Sequence, residues 1–135
     1  MKKNSFKEIP ICLYRNQVGC YVSWRTYRRG YSDDKVSAED TTIAVVNPLS
    51  WQTDTGYVSA NQHKGTILYN FRKIYRHTHG AHVKGNALFI DKPKFFGSFF
   101  MKMKNYHVGD YNLFYFNIQQ NVDCRIKNYL HSNNY

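Results

Sequence analysis

The sequence predicts an α/β fold in which several short strands are followed by one closing helix. Runs rich in β-branched and aromatic residues, typical of strands, recur between residues 19 and 104. After residue 113 the apolar residues recur about every fourth position, which is close to the period of an α-helix. A chain of 135 residues is ordinary for one compact unit, so we predict a single domain over residues 1–135.

Three segments in the first half have the composition of strands. Residues 19–27 are rich in aromatic and β-branched types and run into a glycine turn. Residues 42–46 form a continuous apolar run halted by an Asn-Pro pair, which predicts a buried central strand. Residues 64–71 also have an extended pattern. Between the last two segments, residues 49–62 lack a period and are predicted to form a loop that can carry site residues.

The second half of the chain predicts a hairpin and a last strand. Residues 81–90 contain Lys84-Gly85-Asn86 between apolar flanks, which is a turn signal. Residues 99–104 alternate between apolar and polar positions toward their end, which predicts the last strand.

The closing helix is predicted from a stripe of apolar residues and a capping residue. Asp110 is well placed to cap the helix, because its carboxylate can accept bonds from the free N–H groups of the first turn. The stripe that follows consists of Phe114, Ile118, Val122, Ile126 and Leu130.

His107 is the first candidate for chemistry, because it stands between the last strand and this helix. An imidazole in such a loop can take a proton from a nucleophile placed by another strand. The alternative is a structural histidine bonded to a backbone carbonyl. A serine hydrolase would also need a nucleophile in a GxSxG-type turn, which the sequence lacks, and no pair of acids suggests glycoside hydrolysis.

The other histidines and the cysteines predict neither a metal site nor a nucleophile. His77, His79 and His82 flank a glycine beside basic residues, a pattern more typical of a solvated loop than of a metal site. His63 and His131 have no companions that suggest chemistry. The cysteines Cys12, Cys20 and Cys124 contain no CxxC pair; Cys12 and Cys20 either close a short loop as a disulfide or remain two buried thiols.

The net charge of +10 and the 23 aromatic residues allow a second class of function. A basic, aromatic-rich module could bind an anionic polymer or surface without catalysis. The basic residues are scattered and no RNA-binding aromatic motif is present, so nucleic acid is not the expected partner. No segment approaches the ~20 apolar residues of a membrane span, and no cofactor motif is found.

Four segments together resemble a known family. They are Gly-Cys-Tyr-Val-Ser-Trp-Arg-Thr at 19–26, Asn-Pro-Leu-Ser-Trp with Thr-Asp at 47–54, Lys-Pro-Lys-Phe with Gly-Ser-Phe at 92–99, and Lys-Asn-Tyr-His with Asp-Tyr-Asn-Leu-Phe-Tyr at 104–115. In order and spacing they resemble the C-terminal part of a domain-of-unknown-function family of bacterial α/β-hydrolase-like proteins, mostly exported or lipid-anchored. The match extends from about residue 6 to residue 130. Residues 58–63 and Phe96 depart from the family pattern.

The resemblance implies a serine esterase or lipase ancestry, with the strands forming the C-terminal portion of an α/β-hydrolase-like sheet. The nucleophile elbow, of the Gly-His-Ser-Gln-Gly kind, would lie in an upstream segment that this chain lacks. His107 matches the triad histidine and Asp54 the acid, whereas Asp110 is assigned to the helix cap. The chain is then an incomplete hydrolase that is inactive alone and needs its missing N-terminal segment to act on a small ester-type substrate. Its N-terminus has no apolar core of a signal peptide, so the chain as written is expected in the cytoplasm.

Overall fold

The computed structural model describes residues 8–31, 36, 42–68, 72–96, 98, 102–106 and 109–133. Within these residues, short strands form a three-stranded mixed sheet and a two-stranded sheet, and helices close the chain. The fold is therefore broadly of the α/β class, as the sequence predicts.

The larger sheet joins a parallel pair of strands to a hairpin. Strand β1 (Thr26–Arg28) pairs in parallel with β5 (Ala87–Ile90). Strand β4 (Ala81–Lys84) pairs with β5 on its other side, in antiparallel orientation. The spatial order is β1-β5-β4, and all four residues of the central strand are buried.

The predicted hairpin at residues 81–90 is confirmed. Only Gly85 and Asn86 separate β4 from β5. A two-residue hairpin turn needs a positive φ at its first central position, which glycine adopts without a steric cost, and Gly85 has φ 59°.

Residues 104–106 extend the sheet on the free edge of β1. The Arg28 N–H donates to the Lys104 carbonyl at 2.7 Å, and the Tyr106 N–H donates to the Thr26 carbonyl at 2.9 Å. The pairing is antiparallel. Of the predicted last strand, residues 99–101 lie outside the described part of the chain, and the observed pairing begins at Lys104.

The strands in the first half are shorter than the sequence predicts. Of residues 19–27, only the last two belong to β1, and Cys20 near the start of the segment forms a disulfide with Cys12. Residues 44–46 are buried as expected, but they lie outside the strands, and the Val46 N–H donates instead to the Ser23 carbonyl at 2.8 Å.

One strand of the smaller sheet lies in the segment predicted as extended at residues 64–71, and the other lies beyond it. Strand β2 (Thr66–Ile67) pairs antiparallel with β3 (Ile74–Tyr75), while residues 69–71 lie outside the described residues. Just before β2, a short 3-10 helix spans Ala60–Gln62.

The closing helix has two parts, and Asp110 does not cap it. Helix α1 spans Asp110–Leu113, and α2 spans Tyr115–Asn133. The N-cap position is Gly109, with no side-chain cap bond. The Asp110 carboxylate is buried and accepts a hydrogen bond from the Thr26 hydroxyl at 3.3 Å. The predicted cap is therefore wrong, because Asp110 is the first residue of the helix and Gly109 occupies the N-cap position.

Helix α2 buries amide side chains. Asparagines along one side of the helix donate to backbone carbonyls of two loops: Asn117 to Gln62, Asn121 to Arg15 and Asn128 to Asn16, at 2.7–3.0 Å. Asn117 also accepts the Lys64 N–H at 2.8 Å. This polar side holds the disulfide loop against the helix.

The apolar stripe of the same helix is only partly covered. Phe114 is fully buried and Ile118 packs against the core. Farther along, Val122, Ile126 and Leu130 are 49–55% exposed. The helix therefore leaves much of its apolar side in water.

The main core lies between the larger sheet and helix α1. Tyr106, Leu113 and Phe114 pack there against residues of β4 and β5, together with Val45 and Leu49. In the described part of the chain, no helix combines the length and apolarity that crossing a bilayer requires.

Candidate functional site

Of the two residues predicted to form the catalytic pair, the structure describes Asp54 only. His107 lies outside the described residues. Asp54 is exposed, and its Oδ1 accepts the Gly56 N–H at 2.9 Å, which closes a local turn. The pairing of Asp54 with His107 therefore stays a prediction.

The chain is anchored on both sides of position 107. Tyr106, the preceding residue, is fully buried and bonded to the edge of β1. Gly109 precedes helix α1, and its N–H donates to the Tyr106 carbonyl at 2.9 Å. Both flanking residues are therefore positioned by regular structure.

A cleft of about 170 Å³ lies beside these flanking residues. Most of its lining is apolar, and it is contributed by β2, by the segment before position 107 and by helix α1. The lining residues are Thr66, Ile67, Leu68, Met103, Tyr106, Gly109, Asn112 and Leu113. A cleft of this size and character can hold a small apolar group.

Tyr106 brings a polar group to this region. Its hydroxyl is buried and has no hydrogen-bond partner among the described residues. Burial raises the pKa of the Tyr106 phenol, so the hydroxyl stays protonated at neutral pH. It is therefore a protonated, buried donor whose partner is not among the described residues.

One of a pair of buried histidines is bonded to the backbone of Leu113, one of the residues that line the cleft. The rings of His63 and His79 are 4.2 Å apart between centroids, and both residues are at most 1% exposed. His63 Nε2 lies 2.8 Å from the carbonyl of Leu113, a cleft residue, and His63 Nδ1 accepts the Thr78 N–H at 3.2 Å. These bonds assign the proton of the neutral His63 ring to Nε2.

Both imidazoles are neutral at pH 7. Burial lowers the pKa of His63 to about 4, although its bond to Leu113 opposes the shift. Burial, and then the proximity of His63, lower the pKa of His79 well below its ordinary value. His79 Nδ1 lies 2.8 Å from the Thr78 hydroxyl, while its Nε2 is buried without a partner in the described part of the chain. The uncharged ring of His63 thus joins the backbone at Thr78 to the backbone of helix α1 at Leu113, and the neutral ring of His79 packs against it.

Sequence reasoning missed this pair. The sequence indicated no companion of His63 that suggests chemistry, and it predicted that His79 lies in a solvated loop, which is wrong because His79 is buried. The two residues are separated by 16 positions, and no local pattern marks their meeting. The two partners that Thr66 and Thr78 provide for the ring nitrogens of His63 come from residues near the histidines in the sequence. These threonines were the one local feature that could have indicated a buried ring.

The neighbouring histidines do not converge with the pair. His77 is exposed, with Nδ1 3.2 Å from the Ala60 carbonyl, and His82 stacks on Phe89 at 5.7 Å between centroids. Among the described residues, no three potential metal ligands lie together.

Comparisons of the chain with protein-family models, with curated proteins and with solved structures found no match.

Proposed function

We propose that this chain is the histidine-bearing C-terminal part of a serine hydrolase-like protein of the esterase or lipase type, with the nucleophile supplied by another segment. The observation that carries the proposal is that Tyr106 and Gly109, which flank His107 in sequence, both line one small apolar cleft. An ester bound there would have its alkyl or acyl group in the cleft, beside the two residues that flank His107 in the sequence.

In this mechanism His107 is the general base. Its imidazole takes the proton of a serine hydroxyl supplied in trans or from upstream, and then returns it to the leaving alcohol. Asp54 is the proposed partner that orients the imidazole and stabilises its charged form. The parallel β1–β5 pair is consistent with a portion of an α/β-hydrolase-like sheet, whereas the antiparallel addition of residues 104–106 is not what an all-parallel sheet would have.

The nucleophile-bearing segment needs a surface on which to dock, and we assign it to the apolar side of α2. A groove of about 400 Å³ runs along this side from Tyr111 to Val122. Asn112 lines both this groove and the cleft, so the two adjoin at this residue. The exposed residues beyond the groove, including Ile126 and Leu130, extend the apolar surface, as an unpaired interface would.

The test uses a fluorophosphonate probe, which labels activated serine nucleophiles, and short-chain p-nitrophenyl esters. The 135-residue chain alone should be neither labelled nor active, because it lacks the nucleophile. Extended with its upstream coding sequence, or mixed with the separately expressed upstream segment, it should become active. His107→Ala should then lower kcat/KM by several orders of magnitude. The matched control is His131→Ala, an exposed histidine at the end of α2.

Two results would contradict the proposal. One is esterase activity of the chain alone that survives His107→Ala. The other is an upstream segment that carries no serine labelled by the probe. The docking surface has its own control: Val122→Lys should prevent activation by the separate segment, whereas Gln120→Lys on another side of the helix should not.

The alternative function, a module for an anionic polymer or surface, has less support from the described arginines. Arg25 is buried and its Nε donates to the Asn86 carbonyl at 2.9 Å, and Arg29 pairs with Asp91 at 3.2 Å. Arg125 contacts the disulfide loop. Retention on heparin that falls steeply with salt would favour this alternative.

A further inference from the structure

The two sulfurs of the disulfide differ in their exposure to solvent. Cys12 is fully buried, whereas Cys20 is partly exposed. A thiol from solution can therefore approach the Sγ of Cys20 more readily than that of Cys12. This difference determines which sulfur is attacked and which one leaves.

Arg125 of helix α2 points at the buried sulfur. Its Nη1 lies 2.7 Å from Cys12 Sγ and 3.5 Å from Cys20 Sγ, and it also donates to the Gln17 carbonyl at 2.7 Å. Among the described residues, Arg125 has no carboxylate within ion-pair distance, and its Nη2 is buried without a partner. A half-buried guanidinium without an anion is costly, and a thiolate beside it would remove part of that cost.

The surroundings of Cys20 favour a thiolate less than those of Cys12. The Sγ of Cys20 lies 3.5 Å from Arg125 Nη1 and also 3.5 Å from the Gln17 carbonyl oxygen, which can accept a proton from a thiol but repels a thiolate. In the reduced protein, Cys12 is therefore the sulfur that Arg125 stabilises more strongly as a thiolate.

We infer that the Cys12–Cys20 disulfide is a reducible thiol-exchange site, in which Cys20 is the attacked sulfur and Cys12 leaves as a thiolate paired with Arg125. The reaction partner is a thiol reductant such as glutathione or a dithiol protein. Its thiolate forms a bond to Cys20 Sγ while the Cys20–Cys12 bond breaks, and the electron pair goes to Cys12. A second thiolate then attacks the reductant's sulfur in this mixed disulfide, and Cys20 leaves. The products are the oxidised reductant and Cys20, which takes up one proton and becomes a thiol.

Reduction would act on helix α2 through the loop that the disulfide closes. The carbonyls of Arg15, Asn16 and Gln17, all inside the loop, accept the bonds from Asn121, Asn128 and Arg125. Opening the loop removes the covalent restraint on these acceptors. The site therefore links the redox state of the surroundings to the seating of the C-terminal helix.

The first experiment measures the equilibrium between oxidised and reduced chain in glutathione buffers. A Cys124→Ser background removes the third thiol. Arg125→Gln should make the disulfide harder to reduce, by about tenfold in the equilibrium constant or about 30 mV. The reason is that the Cys12 thiolate loses its counter-ion in the reduced protein, whereas the bond from Arg125 to Gln17 is present in both the oxidised and the reduced protein. Arg125→Lys should stay close to the parent. Lys127→Gln, an exposed cation on the same helix, is the control.

The second experiment identifies the attacked sulfur in the parent chain, so it does not depend on the folding of a variant. The oxidised protein is treated with glutathione, quenched with acid and digested for mass spectrometry. The mixed disulfide should be on Cys20. Glutathione on Cys12, or an Arg125→Gln variant with the reduction equilibrium of its parent, would overturn the inference.

Discussion

The imidazole of His63 donates to the backbone carbonyl of Leu113 at 2.8 Å across the interior of the protein. Leu113 is the last residue of helix α1, whose final carbonyls have no partner within the helix. The Thr66 hydroxyl donates to the same carbonyl at 2.9 Å. A neutral histidine is therefore part of the anchor that holds α1 beside the candidate cleft.

This relationship predicts a loss of stability in mild acid. The unfolded chain protonates His63 near pH 6.5, whereas burial delays protonation in the native protein to a pKa of about 4. The unfolded state therefore binds more protons between these values, and the free energy of unfolding falls as the pH drops through this window. His63 alone should contribute about 2 kcal/mol of loss between pH 7 and pH 5.

The measurement is urea unfolding at several pH values. His63→Gln can keep the donor to Leu113 but cannot titrate, so its stability should depend less on pH than that of the parent. His131→Gln changes an exposed histidine and should leave the pH dependence unaltered. Equal losses in the parent and in His63→Gln would show that another group causes the acid sensitivity.

The second prediction contrasts the two sides of helix α2. Asn121→Ala should lower the free energy of unfolding by about 1–3 kcal/mol, because the buried Asn121 amide is removed and the carbonyl of Arg15 and the Arg125 side chain lose a partner. Val122→Ala, one position along and half exposed, should change it by less than about 0.5 kcal/mol. Urea unfolding of both variants provides the test. A larger loss in Val122→Ala would mean that the apolar side is the buried one.

The sequence predicts the features that depend on neighbouring residues and misses those that depend on distant partners. The hairpin at Gly85 and the presence of the closing helix follow from local turn chemistry and period. The cap at Asp110 was wrong because the helix already begins at Asp110, whose carboxylate accepts a bond from Thr26, 84 positions upstream. Similarly, the buried side of α2 is set by Asn121 and a loop more than 100 residues away, which no helical period contains.

The same distinction between local and distant partners applies to the candidate site. The position of His107 between sheet and helix was readable from the order of elements, and its role stays a prediction together with that of Asp54. The cleft lined by Tyr106 and Gly109 depends on β2 meeting helix α1, a contact between residues about 45 positions apart, so the sequence could not indicate it.

The third prediction concerns Gly80, which follows the buried His79. A Cβ at this position would lie 2.8 Å from the Val58 carbonyl oxygen and would collide with the Tyr57 hydroxyl. Gly80→Ala should therefore disturb the bridge between Val58 and Ala81 and lower the free energy of unfolding by about 1–3 kcal/mol. Gly109→Ala, where the added Cβ meets open space, is the matched comparison and should be nearly neutral. Similar stabilities for the two variants in urea would contradict the packing described for this segment.

The last prediction concerns the size of the group that the cleft accepts, and it depends on the proposed function. A volume of about 170 Å³ is below the range usual for drug-sized ligands, so the active assembly should prefer acetyl and butyryl esters over octanoyl esters. Leu68 lines the cleft and is only partly buried, so truncating it should enlarge the space with little loss of stability. Leu68→Ala should then raise kcat/KM for longer esters relative to acetate by about 10-fold or more, the range that one or two methylenes contribute in an apolar pocket. Leu13→Ala, an exposed leucine elsewhere, should leave the ratio unchanged. An active assembly whose chain-length preference is the same in Leu68→Ala and in the parent would show that the acyl group binds outside this cleft, while leaving the role of His107 to be judged by its own variant.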